Sequence, residues 1–193
     1  MIPVNPAEEP AHFNEQIRMP GLAHLQRNSS PDAYIRPYWT LCIDDLARVF
    51  SGLCGFTAQF NNDGTVDHFL DKKNHRHLAY EWDNYRFASP AVQSRKKPGR
   101  EYLDPFEVED GWFAISLPDL QLYLTDSVPE EKREIAQDTI EKLDLIKGRH
   151  VMRQRQALFS EYKSGNMNVE AVRRFAPLLA RAIEAALAEN RSF

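Results

Sequence analysis

One stretch of the chain, residues 54 to 100, constrains its fold more than any other. A turn signal, Asn61-Asn62-Asp63-Gly64, separates two short runs of β-forming residues, GFTAQF and TVDHF, and so predicts a β-hairpin. The second run ends in Asp67-His68. Further on, Ser89-Pro90 has the pattern of a helix N-cap followed by proline at the first helical position. We therefore predict a short basic helix, AVQSRKK, that ends near Pro98-Gly99.

This order joins an acid, a histidine and a short helix in one small unit suited to cutting phosphodiester bonds. Such a reaction needs a base for water, charge relief at the phosphate and help for the leaving oxygen. His68 is the candidate base, because an imidazole accepts a proton near neutral pH. Asp67 is a candidate ligand for a divalent cation, because hard cations favour carboxylate oxygen.

The same residues carry a resemblance to a known family. Asp67-His68 at a strand end, followed by Trp82-x-Asn84 and a short helix, resembles the HNH endonucleases, whose core is the ββα-metal motif. The resemblance is nearest to an uncharacterised bacterial group within that family. Its marks lie between residue 17 and about residue 113, and they are Ile17-Arg18-Met19-Pro20-Gly21-Leu22, Tyr38-Trp39, Asp44-Asp45-Leu46, Val66-Asp67-His68-Phe69, Leu78-Ala79-Tyr80-Glu81-Trp82-Asp83-Asn84-Tyr85-Arg86, Leu103-Asp104-Pro105-Phe106 and Gly111-Trp112-Phe113.

The resemblance implies a metal-dependent endonuclease that hydrolyses DNA with one divalent ion, Mg²⁺ or Mn²⁺. It implies two catalytic residues, His68 as the base and Asn84, which holds the region around the base. The metal ligands that it implies are Asp67 and, on the helix, Gln93. It also implies a setting in bacterial defence, with an ATPase subunit as a protein partner. RNA in place of DNA stays open.

Gln93 departs from the family pattern, which has His or Asn at that position. The amide oxygen of Gln93 stands one methylene further out than that of Asn, so three states of the metal stay open: held, held weakly with extra waters, or absent. The zinc-binding cysteine pairs of many HNH proteins are also missing, since only Cys54 remains and Ser89 stands where a later cysteine is expected. A rival interpretation is therefore a non-catalytic, HNH-fold nucleic-acid-binding or adaptor subunit of a larger complex.

The charge of the chain is unevenly distributed. The net charge is −4, which a nucleic-acid-binding domain would not usually show. Positive charge is concentrated between residues 72 and 100, over the motif, and this is what contact with phosphate needs. A solvated helix end that complements the helix dipole is the alternative explanation for residues 95 to 97. The residues that we predict to bind nucleic acid are Lys72, Lys73, Arg86, Arg95, Lys96 and Lys97.

Composition and length place the chain among ordinary globular proteins. Its 193 residues are 42% hydrophobic and 27% charged, with two cysteines and no CxxC pattern. We therefore expect neither a disulfide scaffold nor a zinc ribbon. No apolar run reaches the roughly 18 residues that a membrane helix needs, and the start lacks the features of a signal peptide. A cytoplasmic protein without membrane association is the expectation.

The predicted fold class is α+β: a ββα-metal HNH core with an N-terminal helix, a second β-hairpin and a C-terminal helical layer. We expect an N-terminal arm at residues 1–32, extended and then looped, and an HNH-like core at residues 33–125. A helical region at residues 126–193 should pack on that core. Apolar spacing further predicts a helix at about 33–51, strands at 112–117 and 120–124, and helices from 129, at about 147–162 and at 168–187 with a kink at Pro177.

Overall fold

The computed structural model describes residues 1–190 of the chain. Helices and two small antiparallel sheets form a mixed fold, which confirms the predicted α+β class. Residues 191–193, the end of the predicted helical region, lie outside the described residues. The helices are α1 (Met19–Arg27), α2 (Ile43–Val49), α3 (Pro90–Gln93), α4 (Glu130–Lys142), α5 (Arg149–Lys163), α6 (Val169–Phe175) and α7 (Pro177–Ala188). The strands are β1 (Thr65–His68), β2 (Tyr85–Ala88), β3 (Phe113–Ile115) and β4 (Leu122–Leu124).

Strand β1 has a different partner from the one that the sequence predicted. It pairs with β2, where Val66 lies opposite Phe87, and not with residues 55–60. Those residues instead form a compact turn, in which the amide of Ala58 donates to the carbonyl of Cys54 at 2.9 Å. The prediction failed because every residue from 55 to 59 is buried, so its apolar side chains do not mark one face of a strand.

Strand β2 runs directly into α3. The hydroxyl of Ser89 accepts a hydrogen bond from the amide of Val92 at 3.3 Å, and Pro90 follows it, as the sequence predicted. The helix ends at Gln93 and does not continue to Lys97. The basic residues 95 to 97 therefore follow this helix and are not part of it.

The N-terminal residues are helical where the sequence predicted an arm and a loop. A π-helical turn, Asn14–Arg18, leads into α1. Pro20 lies near the start of α1, where the helix requires no backbone N–H. Gly21, which suggested a turn, instead allows the ring of Tyr80 to pack directly on α1, because a Cβ at this position would overlap that ring.

Other predicted elements differ from the structure mainly at their ends. The helix expected at residues 33–51 is a 3₁₀ turn, Tyr38–Cys42, followed by α2. The second hairpin is present, with β3 antiparallel to β4. Pro177 divides the last predicted helix into α6 and α7, because proline has no N–H to continue the helical ladder. Among the described helices, none combines the length and the apolar character that crossing a membrane requires.

Two hydrophobic clusters hold the elements together. The first packs the second hairpin against the C-terminal helices and includes Trp112 and Leu179. The second packs α2 and the N-terminal helical residues around the β1–β2 pair and includes Phe13. Neighbouring residues of β2, Phe87 and Ala88, belong to different clusters. Strand β2 is therefore anchored on both sides, and it gives the Asp67-His68 strand a rigid partner.

Candidate active site

His68 ends β1, and its ring packs between two aromatic side chains. The rings of Trp39 and Tyr85 meet it edge-on, with centroids 4.6 and 5.1 Å from that of the imidazole. Its Nε2 atom lies 2.9 Å from the main-chain carbonyl oxygen of Ala79. Because a carbonyl oxygen only accepts hydrogen bonds, Nε2 carries the proton of the neutral ring. The lone pair of the neutral ring therefore lies on Nδ1.

The carbonyl that orients His68 is itself held in place. It accepts a second hydrogen bond from the hydroxyl of Tyr85 at 2.8 Å. Tyr85 lies opposite His68 in the register of β1 and β2. Ala79 directly follows a 3₁₀ turn, Arg76–Leu78, in the loop that joins these strands. The strand pairing thus brings two donors to one acceptor on the loop.

Asn84 is buried and closes the loop between β1 and β2. Its Oδ1 accepts from the amide of Leu70 at 2.8 Å, and its Nδ2 donates to the carbonyls of Leu70 at 3.0 Å and Leu78 at 3.2 Å. Its own carbonyl accepts from the amide of Phe69 at 2.9 Å. The side chain is occupied by the loop backbone, so Asn84 is a positioning residue for the segment that carries Ala79.

His68 is held in its neutral form. Burial and, next, the positive charge of Lys72 lower the pKa of His68 to about 3, while the hydrogen bond to Ala79 acts in the opposite direction. The imidazole is 6% exposed. Nδ1 is therefore unprotonated throughout the physiological pH range, which makes the ring a ready but weak base.

Asp67 is as deeply buried as His68 and is already paired with a cation. Its Oδ2 lies 2.5 Å from Nζ of Lys96. Burial raises the pKa of the Asp67 carboxyl, and the nearby charge of Lys96 offsets part of that effect. The carboxylate predicted to hold a metal thus forms a buried ion pair with a lysine that was predicted to hold phosphate.

Gln93 lies at the end of α3 and ties that helix to β1. Its Nε2 donates to the carbonyl oxygen of Val66 at 2.6 Å, which fixes the end of the amide that faces the strand. A divalent ion does not fit between Asp67 and Gln93 while the ammonium of Lys96 binds the carboxylate. The hydrogen bond to β1 uses only Nε2 of Gln93 and does not involve Oε1, the atom that would bind a metal. Within residues 1–190, no group of three or more His, Cys, Asp and Glu side chains is placed to hold a metal ion.

The other predicted phosphate contacts differ in exposure. Lys73 and Lys97 are exposed, whereas Lys72 and Arg95 are half-buried. Nζ of Lys72 lies 4.6 Å from the ring centroid of Trp39, the same ring that packs against His68. Arg95 donates to the carbonyl of Ala91 at 2.7 Å. Lys73 and Lys97 are therefore open to a phosphate backbone, and Lys72 is a cation beside the candidate base.

Arg86 is not available to nucleic acid, contrary to the prediction. It is 4% exposed, and its guanidinium binds the carboxylate of Asp104 through two hydrogen bonds of 2.6 and 2.5 Å. A third nitrogen donates to the carbonyls of Asp83 and Tyr85 at 2.7 and 2.8 Å. The prediction failed because a basic stretch suggests solvent exposure, whereas Arg86 lies on the fully buried strand β2.

Three groups of the site escaped the sequence reasoning: the carbonyl of Ala79, the hydroxyl of Tyr85 and the ring of Trp39. Trp39 was a mark of the resemblance and one apolar residue of a predicted helix, but it was not a candidate for the site. Each of the three belongs to a segment that carries the HNH resemblance. The presence of those segments in one sequence was therefore the signal that could have pointed to these groups. Residue type alone did not mark Trp39 or Ala79 as part of a site, because Trp39 contributes an aromatic ring and Ala79 contributes a main-chain carbonyl.

Comparison with known proteins does not assign the chain to a family. No protein-family model matches the chain, and no curated protein matches it significantly. The candidate site is therefore defined by its own contacts: a neutral, oriented histidine, a buried Asp67–Lys96 pair beside it, and a loop closed by Asn84.

Proposed function

We propose that this chain is a phosphodiester hydrolase of the HNH endonuclease type that acts on DNA, with His68 as the base for water. One observation carries the proposal: the 2.9 Å hydrogen bond from Nε2 of His68 to the carbonyl of Ala79. It selects the tautomer in which Nδ1 accepts a proton. A second, main-chain partner that orients the base is a common arrangement of general-base sites.

The local order of elements supports the same proposal. Strand β1 ends in Asp67-His68, a loop closed by Asn84 follows, β2 returns antiparallel, and α3 begins one residue after β2. This is the order expected of a strand–strand–helix nuclease core. The positive charges of Lys72 and Lys96 beside the histidine agree with a substrate that carries negative charge.

The proposed reaction proceeds by attack of water on phosphorus. Nδ1 of His68 takes one proton from the water as its oxygen bonds to phosphorus and the bond from phosphorus to the 3′ oxygen breaks. The leaving oxygen takes a proton from solvent, so the products are a 5′-phosphate and a 3′-hydroxyl. A general base of this kind contributes about 10²- to 10⁴-fold, and neighbouring cations stabilise the charge on the phosphate oxygens.

A second candidate is a non-catalytic adaptor that binds nucleic acid within a larger complex, for example beside an ATPase in bacterial defence. The buried ion pair of Asp67 with Lys96 favours it, because that pair stands where the resemblance implied a catalytic metal. The two exposed lysines, Lys73 and Lys97, would serve binding in either case. The two candidates differ in one respect, which is whether a phosphodiester bond is broken.

The test is cleavage of supercoiled plasmid, single-stranded DNA and RNA by the parent chain and by His68→Ala. We expect His68→Ala to lower cleavage by at least about 10²-fold. His77→Ala is the matched control, since His77 lies exposed in the loop that follows β1, and should cleave like the parent. Equal cleavage by His68→Ala and the parent would remove His68 as the base. Binding without cleavage of any substrate would replace the hydrolase with the adaptor.

A further inference from the structure

The ammonium group of Lys96 occupies a site with three oxygen atoms. Nζ lies 2.5 Å from Oδ2 of Asp67 and 3.4 Å from the main-chain carbonyl oxygens of His68 and Phe69. The side chain of Lys96 is 11% exposed and that of Asp67 is 7% exposed. The positive charge is therefore held within the protein, at the residue next to the candidate base.

Aromatic rings surround the remaining sides of the same ammonium. Its Nζ lies 5.3 Å from the ring centroid of Phe56, 5.6 Å from that of Phe69 and 5.5 Å from that of Tyr102. Ring faces within about 6 Å attract an ammonium. They offer nothing to a small divalent cation such as Mg²⁺, which requires six oxygen ligands in a near-octahedral arrangement. The surroundings suit an ammonium better than a metal ion.

The ammonium of Lys96 is also favoured over a free metal ion because it is covalently part of the chain. Lys96 follows α3 by three residues, and Gln93 ties α3 to β1 through the carbonyl of Val66. The ammonium is thus presented to Asp67 at a high effective concentration. An ion from solution would have to displace it and leave a lysine charge buried without its carboxylate, which is strongly unfavourable.

We infer that Lys96 is the resident cation of this site: its ammonium takes the position that the HNH resemblance assigned to a divalent metal, and the site works without one. The catalytic part of this inference rests on the proposed hydrolase function, whereas its binding part does not. In the reaction, Lys96 and Lys72 supply positive charge beside His68.

The experiment has a binding arm and a cleavage arm. Mn²⁺ is titrated calorimetrically into the parent, Lys96→Ala, Lys96→Ala with Asp67→Asn, and Lys147→Ala, which removes an exposed lysine elsewhere. We expect no saturable binding by the parent or by Lys147→Ala at millimolar Mn²⁺. Lys96→Ala should show saturable binding at least about tenfold tighter than the millimolar limit set by the parent, and the added Asp67→Asn should abolish that binding. Lys96→Gln replaces Lys96→Ala if circular dichroism shows that the alanine variant does not fold.

In the cleavage arm, the parent should cut DNA in excess EDTA, and Lys96→Ala should cut only when Mn²⁺ is added. Saturable binding of Mn²⁺ by the parent that Asp67→Asn removes would overturn the inference. So would cleavage by the parent that EDTA abolishes, although the proposed hydrolase would then stand. If the parent cleaves nothing, the hydrolase fails, and the binding arm alone still decides whether Lys96 holds the cation position.

Discussion

His68 and Tyr85 donate hydrogen bonds to the same acceptor, the main-chain carbonyl oxygen of Ala79, at 2.9 and 2.8 Å. Because they lie opposite each other on β1 and β2, the strand register sets the position of both donors. The loop that carries Ala79 therefore cannot shift without moving the imidazole. Orientation of the base is a property of the strand pair and the loop together.

The first prediction concerns this shared acceptor. Tyr85→Phe removes one hydroxyl and leaves the carbonyl of Ala79 bound to His68 alone. We expect the free energy of unfolding to fall by about 0.5–1.5 kcal/mol, the net value of one hydrogen bond, and cleavage to fall less than in His68→Ala. Urea denaturation measures the first and plasmid cleavage the second. Tyr123→Phe, at an exposed residue, is the control, and a Tyr85→Phe chain as stable as this control would contradict the prediction.

The second prediction concerns the closed loop. Asn84→Ala removes three side-chain hydrogen bonds and leaves the amide and carbonyl of Leu70 without that partner. We expect a loss of about 2 kcal/mol or more, because each of the three hydrogen bonds contributes about 0.5–1.5 kcal/mol net. Urea denaturation is the measurement, with Asn62→Ala at an exposed turn as the control. A change no larger than that of Asn62→Ala would show that Asn84 does not hold the loop.

The third prediction is a pH dependence of stability that His68 causes. Its folded pKa of about 3 lies below the ordinary value of 6.5, so the folded protein binds fewer protons than the unfolded chain between these values. The contribution of the buried, neutral His68 to the free energy of unfolding is therefore fully present above about pH 6.5. It is lost as the pH falls towards 3, by up to about 1.4 kcal/mol per pH unit.

Comparison of the parent with His68→Asn isolates this contribution. We expect the difference between their free energies of unfolding to shrink as the pH falls from about 6.5. His77→Asn, at an exposed position in the loop after β1, is the matched control. If the parent and His68→Asn lose stability in parallel, the depressed pKa is not present in the folded protein.

The fourth prediction separates structural from exposed positive charge. Charge reversal of Lys73 and Lys97 should weaken DNA binding and reduce the slope of log affinity against log salt by about one for each lysine. Lys142→Glu, at an exposed site on α4, should leave the slope unchanged. Fluorescence anisotropy over a salt series measures it, and an unchanged slope in the double variant would mean that these lysines only face solvent.

A fifth prediction follows from the buried pair of Arg86 with Asp104. Arg86→Met alone should destabilise the fold by about 3–5 kcal/mol, because it leaves a buried carboxylate without its partner. The double variant Arg86→Met, Asp104→Leu should recover part of that loss, since replacing both charges by apolar groups is often close to neutral. The rest is lost with the hydrogen bond that Asp104 accepts from the amide of Phe106. Denaturant unfolding of both singles and the double gives the coupling energy. Additive losses in the double variant would contradict the pairing.

Local signals in the sequence predicted part of this structure well. The Ser89-Pro90 start of α3, the second hairpin and the proline break in the last helix depend on neighbouring residues alone. The partner of β1 was wrong because Tyr85–Ala88 is buried on both faces, and a four-residue buried strand has no alternation to reveal it. Packing decides which strands pair over long distances in the chain, and the local alternation of apolar and polar residues does not predict it.

The candidate site was predicted unevenly for a related reason. Asp67, His68 and Asn84 lie near one another because they flank one loop, so their sequence spacing was informative. Lys96 was expected on a helix in solvent, and the early end of α3 turns it inward to Asp67 instead. The sequence could not identify the Ala79 carbonyl as a site group, because every residue has a main-chain carbonyl whatever its side chain.

The packing of Tyr80 on Gly21 extends the site to a part of the chain that contributes no polar group to it. Tyr80 directly follows Ala79, and its ring lies on the bare backbone of α1 at Gly21. Any side chain at position 21 would push the ring, and with it the neighbouring carbonyl. In a genetic screen for loss of the proposed hydrolase activity, substitutions of this glycine should therefore be recovered beside those of His68, although Gly21 carries no reactive group.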